Sequence, residues 1–190
     1  MKGQWCYWKE HFSKEKCLEI INEAKKNNEY QQATVGTGNG FSVNEDIRRS
    51  KVIWIRNEGY WNSIFNEIEK MTKRSNDDWF DVRYNHLPPL QFTEYDSSYL
   101  GEYKMHQDVM WPSKADTERK ISFVIQLSDP SEYEGGDFKF HYVSSIPDST
   151  EIKKQGTVIF FPSLVHHELQ PVTKGTRYSL VGWWEGPNWR

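Results

Sequence analysis

The sequence predicts an α+β protein, mainly β, in which helices precede an antiparallel sandwich or barrel. Aromatic residues make up 15% of its 190 residues and hydrophobic residues only 36%, and large rings suit the half-buried surface of a sheet. Helical periodicity is confined to the first third, and short β-rich segments without intervening helices follow Asp81. A chain of this length fits one domain. We expect it to span residues 1–190, with a helical buttress to about residue 75 and a barrel from about 80 to 188.

Apolar spacing predicts two helices in the first third of the chain. Ser13 is a suitable N-cap, and positions 17, 20, 21 and 24 form one apolar face. Apolar residues at 61, 64, 65 and 68 mark a second amphipathic helix that runs to about residue 73. Between the helices, residues 34–47 contain three glycines and predict a mobile loop, and residues 50–55 predict a short strand.

Six short segments rich in aromatic and β-branched residues follow, each bounded by Gly, Pro, Asp or Ser turns. They are residues 91–95, 121–127, 137–143, 157–161, 168–172 and 177–184. Residues 102–109 could form a further strand. The polar connection 109–119 is expected to be a surface excursion near the mouth of the barrel.

Composition and charge exclude several classes of protein. The 27 acidic and 24 basic residues give a formal charge of −3, which argues against a dedicated nucleic-acid binder. No apolar run approaches the roughly 18 residues that a membrane span needs. The first residues do not resemble a secretory signal, so we expect a cytoplasmic protein, in a bacterium or the host of a virus. A disulfide between Cys6 and Cys17 stays open, although two reduced thiols are favoured.

Two histidine segments could carry chemistry. His106 and Asp108 are two residues apart, so on a strand they project from the same face. His166 and His167 follow the strand at 157–161 and could deliver a second imidazole from an adjacent strand, which would complete the two-histidine, one-carboxylate set of non-haem Fe(II) sites. Each pattern alone is weak, since exposed strand residues and core histidines are commoner than ligands. Arg177, ten residues after His167, strengthens the prediction because a guanidinium binds a carboxylate bidentately.

Three segments carry a resemblance to a known family: YKMHQD, YEGGDFKF and GTVIFFPSLVHHELQPVTKGTRYSLVGWW. They resemble the Fe(II)- and 2-oxoglutarate-dependent dioxygenases of the prolyl 4-hydroxylase type, and the last block is the most specific. The resemblance implies a double-stranded β-helix, or jelly roll, with N-terminal flanking helices. It also implies an enzyme that uses Fe(II), 2-oxoglutarate and O2 to hydroxylate an unactivated carbon, with decarboxylation of 2-oxoglutarate to succinate. The substrate that it implies is a prolyl residue in a protein or peptide.

The same resemblance implies which residues bind the metal. His106, Asp108 and His167 match the family's iron ligands. The matching histidine stands four residues before Pro171, which makes His166 a neighbour of the ligand and not a ligand itself.

Cosubstrate and substrate contacts follow from the resemblance as well. Arg177 would hold the distal carboxylate of 2-oxoglutarate, and Tyr95 would contact the same molecule. Trp183 shares a strand face with Arg177, whereas Trp184 points the other way. At position 126 some relatives have a tyrosine near the cosubstrate, and this chain has a glutamine. The expected substrate groove comprises Tyr103, Trp111, Gln126 and Trp183.

Several alternatives stay open on the sequence alone. The same chemistry could act on a free amino acid or another small molecule, or the fold could hold a metal for binding or sensing without turnover. A nucleic-acid demethylase is disfavoured because such enzymes usually carry a second arginine six residues past the first, where Trp183 stands here. We expect a protein or peptide partner, no nucleic acid and no membrane, and the sequence does not give the oligomeric state. Arg48, Arg49 and Lys51 could contact an acidic partner, but a solvated charge cluster is the favoured interpretation.

Overall fold

A computed structural model describes residues 2–26, 29–37, 40–109 and 116–189. Its α-helices are α1 (Lys14–Lys26), α2 (Trp61–Ser75) and α3 (Ser149–Lys153), and a π-helical turn, Asn76–Phe80, extends α2. Its strands are β1 (Cys6–Trp8), β2 (Gln31–Gln32), β3 (Val35–Thr37), β4 (Gly40–Ser42), β5 (Arg48–Arg49), β6 (Lys51–Ile55), β7 (Leu90–Asp96), β8 (Glu102–His106), β9 (Thr117–Gln126), β10 (Tyr133–Gly135), β11 (Phe138–His141), β12 (Val158–Pro162), β13 (His166–Leu169) and β14 (Val172–Pro187). Among the helices of these ranges, none has the length and apolar character to cross a membrane.

The strands form two main antiparallel sheets and a separate hairpin. The larger sheet has the order β1-β12-β9-β14-β7-β6-β2, with β10 pairing with β14 outside this path. The smaller sheet has the order β11-β13-β8-β5, and β3 pairs with β4. The sequence prediction of a mainly β protein with antiparallel sheets and flanking helices is therefore confirmed.

The two long helices cover one face of the larger sheet. α1 begins after Ser13, whose Oγ accepts a hydrogen bond from the backbone N–H of Lys16 at 3.2 Å, and its buried side chains lie at the predicted positions 17, 20, 21 and 24. α2 buries its predicted face at 61, 64, 65 and 68. Both helices belong to one apolar cluster with core residues of β7, β9 and β14, including Phe92, Phe123 and Leu180. The helices therefore leave the opposite face of the sheet to the smaller sheet.

Between the two sheets lies a second apolar cluster that closes one part of the interior. Val124 and Phe161 of the larger sheet pack there with Phe140 of the smaller sheet. Alternating side chains of β9, β12 and β14 thus point either to the helices or to this inner space. The inner space also contains the cavity that holds the candidate functional residues.

The N-terminal third contributes strands as well as helices. β1, β2 and β6 all join the larger sheet, so the expected helical buttress to about residue 75 also supplies sheet edges. The predicted mobile loop at 34–47 is wrong where β3 and β4 form a hairpin, although residues 38 and 39 lie outside the described part of the chain. Strands of three residues, such as these two, are too short to show an alternating pattern, and their glycines are typical of a loop. The division into a helical part and a barrel remains a prediction.

Strand limits in the second half differ from the predicted ones. The predicted strands 168–172 and 177–184 are β13, which ends at Leu169, and the much longer β14. Gln170 and Pro171 belong to neither strand and separate them. The prolyl nitrogen has no hydrogen to donate, and the Pro171 carbonyl accepts from the Gly136 N–H at 3.0 Å. β9 begins at residue 117, so the predicted excursion at 109–119 ends three residues early, and its residues 110–115 lie outside the described chain.

The two cysteines are both free thiols. Cys6 is partly buried and Cys17 is fully buried in the apolar cluster under the helices. The favoured sequence interpretation of two unpaired thiols is confirmed, and a disulfide plays no part in the fold.

Candidate active site

Two strands of the smaller sheet bring a carboxylate and two imidazoles together. His106 at the end of β8 stands opposite His167 of β13 in the antiparallel register. Asp108 lies two residues beyond, where its backbone N–H donates to the carbonyl of Ser163 at 3.0 Å. Its carboxylate oxygens lie 3.7 Å from His106 Nε2 and 3.6 Å from His167 Nε2. One ligand atom from each of the three residues lies within 4.8 Å of the others, a geometry that could hold one metal ion.

Backbone carbonyls orient both imidazoles. His106 Nδ1 lies 2.7 Å from the carbonyl oxygen of Lys104, and His167 Nδ1 lies 2.9 Å from that of Val165. Because a carbonyl oxygen only accepts, each Nδ1 carries the proton and donates. The Nε2 lone pairs are then free to bind a metal, with the ring orientation already set by the second nitrogen.

Burial and neighbouring charges set the protonation that a metal site needs. Burial, with the nearby His167, lowers the pKa of His106 to about 3, so its imidazole is neutral at physiological pH. Burial acts to raise the pKa of Asp108, but His167 and His106, with help from Arg119, hold that pKa below its usual value. Ser122 also donates its hydroxyl to Asp108 Oδ2 at 2.6 Å. Imidazole nitrogens and an ionised carboxylate are suitable ligands for a divalent metal.

The other histidines of the described chain lie outside this group. His166 points away from His167 and packs edge-on against Tyr142, with ring centroids 5.3 Å apart. His141 lies 3.5 Å from Glu168, and His11 contacts Glu67 at 2.8 Å, a partner that the sequence did not indicate. No second group of three metal-ligating residues occurs within residues 2–26, 29–37, 40–109 and 116–189.

Arg177 is a buried cation on the neighbouring strand β14. Arg177 is only 2% exposed. Within the described chain, no carboxylate oxygen lies within 4 Å of its guanidinium nitrogens. It donates through Nη2 to Gln126 Oε1 at 2.7 Å and through Nη1 to Ser179 Oγ at 3.3 Å, while Nε is buried without a partner. An unpaired buried charge is costly, so this guanidinium is suited to bind an anion.

The remaining predicted residues are distributed around the same cavity. Tyr95 stands opposite Arg177 in the register of β7 and β14, and Tyr103 stacks on His106 with ring centroids 3.5 Å apart. Trp183 lines the cavity on the face of Arg177, as predicted, and Trp184 packs into the helix-covered core. Trp111 lies outside the described residues.

Gln126 does not line the cavity with the other groove residues. Its carboxamide accepts the Nη2 hydrogen of Arg177 at 2.7 Å. The register of β9 with β14 pairs Gln126 with Ser179, which shares a strand face with Arg177, so the Gln126 side chain reaches the guanidinium. Its place in the substrate groove stays a prediction.

The cavity has an inner and an outer part that meet at the metal-ligating group. The inner cavity is defined by Tyr95, Phe161, Leu169, Arg177 and Ser179. The outer cavity has a volume of about 580 Å³ and is defined by Val35, Phe41, Trp54, Met105 and Arg119. Six residues line both parts: Arg48, Gln91, Tyr103, His106, Asp108 and Trp183. A volume of this size suits a ligand larger than a metal ion and a small acid.

Arg48 is a candidate functional residue that the sequence interpretation missed. It is 6% exposed, donates to Ser50 Oγ at 2.8 Å and Gln91 Oε1 at 2.6 Å, and lies over the Tyr103 ring. The predicted solvated cluster is wrong for this residue, whereas Arg49 does pair with Glu102, at 2.7 Å. Burial alternates at positions 48, 50 and 52 in the structure, but the residues there are Arg, Ser and Val, so the sequence shows no apolar alternation that would indicate it.

Comparisons with known sequences agree with this geometry. Residues 90–185, about half of the chain, match the family described as the 2OG-Fe(II) oxygenase superfamily. A PKHD-type hydroxylase of Prochlorococcus marinus is 40% identical over 88 residues, which cover 46% of this chain and 38% of that protein. A PKHD-type hydroxylase of Hyphomonas neptunium is 34% identical over 100 residues, covering 50% and 44%. The chain thus spans less than half the length of these curated relatives.

Solved structures show the same fold across nearly the whole chain. A Pseudomonas putida prolyl-4-hydroxylase is similar with a TM-score of 0.70 and 16% identity, covering 98% of this chain and 94% of that one. A Trichoplax adhaerens prolyl hydroxylase, solved with a peptide fragment of a hypoxia inducible factor oxygen degradation domain, has a TM-score of 0.74 and 16% identity, covering 96% and 83%. These likenesses confirm the predicted double-stranded β-helix.

Proposed function

The chain belongs to the 2OG-Fe(II) oxygenase superfamily, and on that premise we propose that it is an Fe(II)- and 2-oxoglutarate-dependent dioxygenase that hydroxylates an unactivated carbon. The proposed substrate is a prolyl residue in a protein or peptide. The reaction consumes 2-oxoglutarate and O2, and it releases succinate and carbon dioxide as one oxygen atom is transferred to the substrate carbon.

The observation that carries this proposal is the group of His106, Asp108 and His167 in the same cavity as Arg177. Two imidazoles and one carboxylate on one side of a metal leave positions open for a cosubstrate and dioxygen. Fe(II) bound to these residues would supply the redox chemistry that activates dioxygen. The chain's own contribution is to hold the ligands in the correct tautomer and charge before the metal binds.

The inner cavity supports 2-oxoglutarate as the cosubstrate. Arg177 offers a buried Nε–H without a partner, so the distal carboxylate of a 2-oxoacid would satisfy both its charge and that donor. Tyr95 would line the same position from the neighbouring strand. Phe161 and Leu169 exclude water around this end, which strengthens the ion pair that Arg177 would form.

The outer cavity supports a peptide as the substrate. Its rim carries the large side chains of Phe41, Trp54 and Met105, which are 66%, 44% and 45% exposed. Exposed apolar side chains grouped at the edge of a cavity are typical of surfaces that bind another molecule. The similar Trichoplax protein was solved with a peptide, which supports the same class of substrate here.

Anaerobic titration with Fe(II) and 2-oxoglutarate tests the proposal. We expect the weak visible charge-transfer band of a chelated 2-oxoacid, and we expect His167→Ala to abolish it. His166→Ala is the matched control, since its imidazole is the chain neighbour but packs on Tyr142, outside the group. If the band persists in His167→Ala, or if Fe(II) binds without the band, the proposed site is wrong.

Arg177→Ala tests the cosubstrate contact separately. Removing one partner of a buried charge pair costs about 2–5 kcal/mol, so 2-oxoglutarate affinity should fall about 100-fold while Fe(II) affinity is kept. An unchanged 2-oxoglutarate affinity would remove Arg177 from the site. Mass spectrometry of proline peptides incubated with the loaded protein then tests the substrate, with a gain of one oxygen atom as the expected result. Free L-proline in the same assay distinguishes a small-molecule substrate.

A further inference from the structure

Two arginines face the outer cavity where the substrate would lie. Arg48 lines both parts of the cavity, and Arg119 lines the outer part. The Arg119 guanidinium stacks on the Trp183 ring at 3.9 Å and has no hydrogen-bonded or ion-paired partner among the described residues. The contacts of Arg48 use Nε and Nη2, which leaves Nη1 without one.

The lining of the cavity does not neutralise these cations. Within the described chain, the arginines and carboxylates of its lining are Arg48, Arg119, Arg177 and Asp108. Asp108 and Glu185 attract Arg119 from a distance, but neither lies within 4 Å of it. Arg48 and Arg119 also repel each other, which makes their shared cavity unfavourable for two cations without an anion.

Metal and cosubstrate would not change this balance. The two positive charges of Fe(II) and the two negative charges of 2-oxoglutarate cancel. Arg177 would be paired by the cosubstrate, and Asp108 would bind the metal. Arg48 and Arg119 therefore keep their excess positive charge in the loaded site.

Hydrogen-bond donors in the outer cavity favour the same kind of ligand. The guanidinium groups of Arg48 and Arg119 carry N–H groups that donate and never accept. A carboxylate supplies only acceptors and a negative charge, so it matches these two groups better than an amide or an amine does.

We propose that the substrate carries a carboxylate, which Arg119 and Arg48 bind in the outer cavity while the carbon to be hydroxylated faces the metal-ligating group. This specificity rests on the proposed oxygenase function and adds the chemical class of the substrate. The carboxylate belongs either to an acidic residue beside the modified one in a peptide or to a free amino acid.

Calorimetric titration of the protein loaded anaerobically with Fe(II) and 2-oxoglutarate tests this, because no turnover occurs without dioxygen. The probes are blocked pentapeptides with a central proline and an aspartate or asparagine on either side, and L-proline against L-prolinamide. We expect at least one acid to bind about tenfold or more tightly than its amide twin. The pair that shows this difference identifies the source of the carboxylate.

Variants assign the preference to the outer cavity. Arg119→Gln keeps a planar group for stacking on Trp183 but removes the charge. In this variant the affinity of the acidic probe should fall to that of its amide twin, and Arg119→Lys should restore part of the difference. Arg49→Gln is the matched control, because that arginine already pairs with Glu102 and does not line the cavity. Unchanged binding of Fe(II) and 2-oxoglutarate verifies that each variant is folded.

Three results would overturn the proposal. They are equal affinities of acid and amide within every twin pair, no binding by any probe, and a preference for the acid that persists in Arg119→Gln. Failure of Fe(II) or 2-oxoglutarate to bind the wild-type protein would instead contradict the oxygenase function. The twin pairs would then be compared in the metal-free protein, where Arg48 and Arg119 still face the same cavity.

Discussion

The two faces of β14 carry neighbouring tryptophans with the same exposure and different surroundings. Trp184, 7% exposed, donates its indole N–H to Thr72 Oγ1 at 2.9 Å and packs edge-on against Tyr84. Trp183, also 7% exposed, stacks under Arg119, and its indole nitrogen has no partner. One ring completes the core, and the other lines a cavity.

The two faces differ in whether their buried polar atoms have hydrogen-bond partners, and not in how deeply the tryptophans are buried. On the face that packs against the helices, the indole of Trp184 has its partner within the protein. On the cavity face, Arg177 Nε and Trp183 Nε1 are both buried and unpaired. Buried polar groups are normally hydrogen-bonded, so unsatisfied donors grouped on one face indicate where a ligand would supply the acceptors.

Truncation of the two tryptophans should give the largest difference in stability between the two faces. Trp184→Ala should lower the free energy of unfolding by about 3–5 kcal/mol, because it opens a void in the core and removes the partner of Thr72. Trp183→Ala should cost about 2 kcal/mol or less, since its ring faces an existing cavity and loses mainly the contact with Arg119. Chemical denaturation of both variants measures the difference, and equal losses would contradict the assignment of the faces.

Added volume on the core face should have the next largest effect. A Cβ at Gly182 would lie 2.4 Å from Phe123 Cζ and 2.7 Å from Leu90 Cδ2. Gly182→Ala should therefore lower stability by about 1–3 kcal/mol through overpacking. Its folded fraction should bind Fe(II) as the wild type does, because the metal-ligating group lies across the sheet. Wild-type stability in this variant would show that the core at β14 is looser than the structure indicates.

Gln126 offers a milder test of the cavity face. Gln126→Ala removes the acceptor that positions Arg177, and we expect 2-oxoglutarate affinity to fall about fivefold to tenfold while Fe(II) affinity is unchanged. Gln126→Glu keeps an acceptor but adds a negative charge beside the guanidinium, so it should weaken 2-oxoglutarate further. Anaerobic titration monitored by the visible band distinguishes these outcomes. Wild-type affinity in both variants would mean that Arg177 is positioned without Gln126.

The smallest expected effect is a difference in reactivity between the two thiols. It reports only on the packing of the face that the helices cover. Burial raises the pKa of Cys17 to about 12 and that of Cys6 to about 11. Both thiols should stay protonated at pH 8 and react slowly with a disulfide reagent, because the thiolate is the nucleophile and forms only as the pH approaches these values. Cys17, fully buried under α1, should be slower than the partly exposed Cys6. Rapid reaction of Cys17 in native buffer would indicate that α1 opens readily.

Much of the fold was predictable because its signals are local. The apolar spacing of α1 and α2 depends on residues within three or four positions of one another, and both helices lie where that spacing predicts. The two-residue spacing of His106 and Asp108 predicts one face of a strand, but β8 ends at His106, and the bend that follows it brings Asp108 beside His167. Their role as metal ligands remains a prediction that titration will test.

The features that the sequence interpretation missed depend on strand pairing across long distances. Arg48 reads as one of three exposed cations until the pairing of β5 with β8 places it over Tyr103. The contact of Gln126 with Arg177 follows in the same way from the register of β9 and β14. No pattern within a few residues contains these two registers. The hairpin of β3 and β4 is local by contrast, and it was missed because its glycines are typical of a loop.

The sequence by itself determined the class of fold and the two long helices, and it predicted the four residues that the structure places around one cavity: His106, Asp108, His167 and Arg177. Only the tertiary structure decided the environment of each charge. The packing of two sheets places Arg177, Arg119 and Arg48 around one cavity in which Asp108 is the only carboxylate of the described residues, while Arg49 pairs with Glu102. Charge is a property of the residue, but whether that charge is paired depends on distances between strands far apart in the chain.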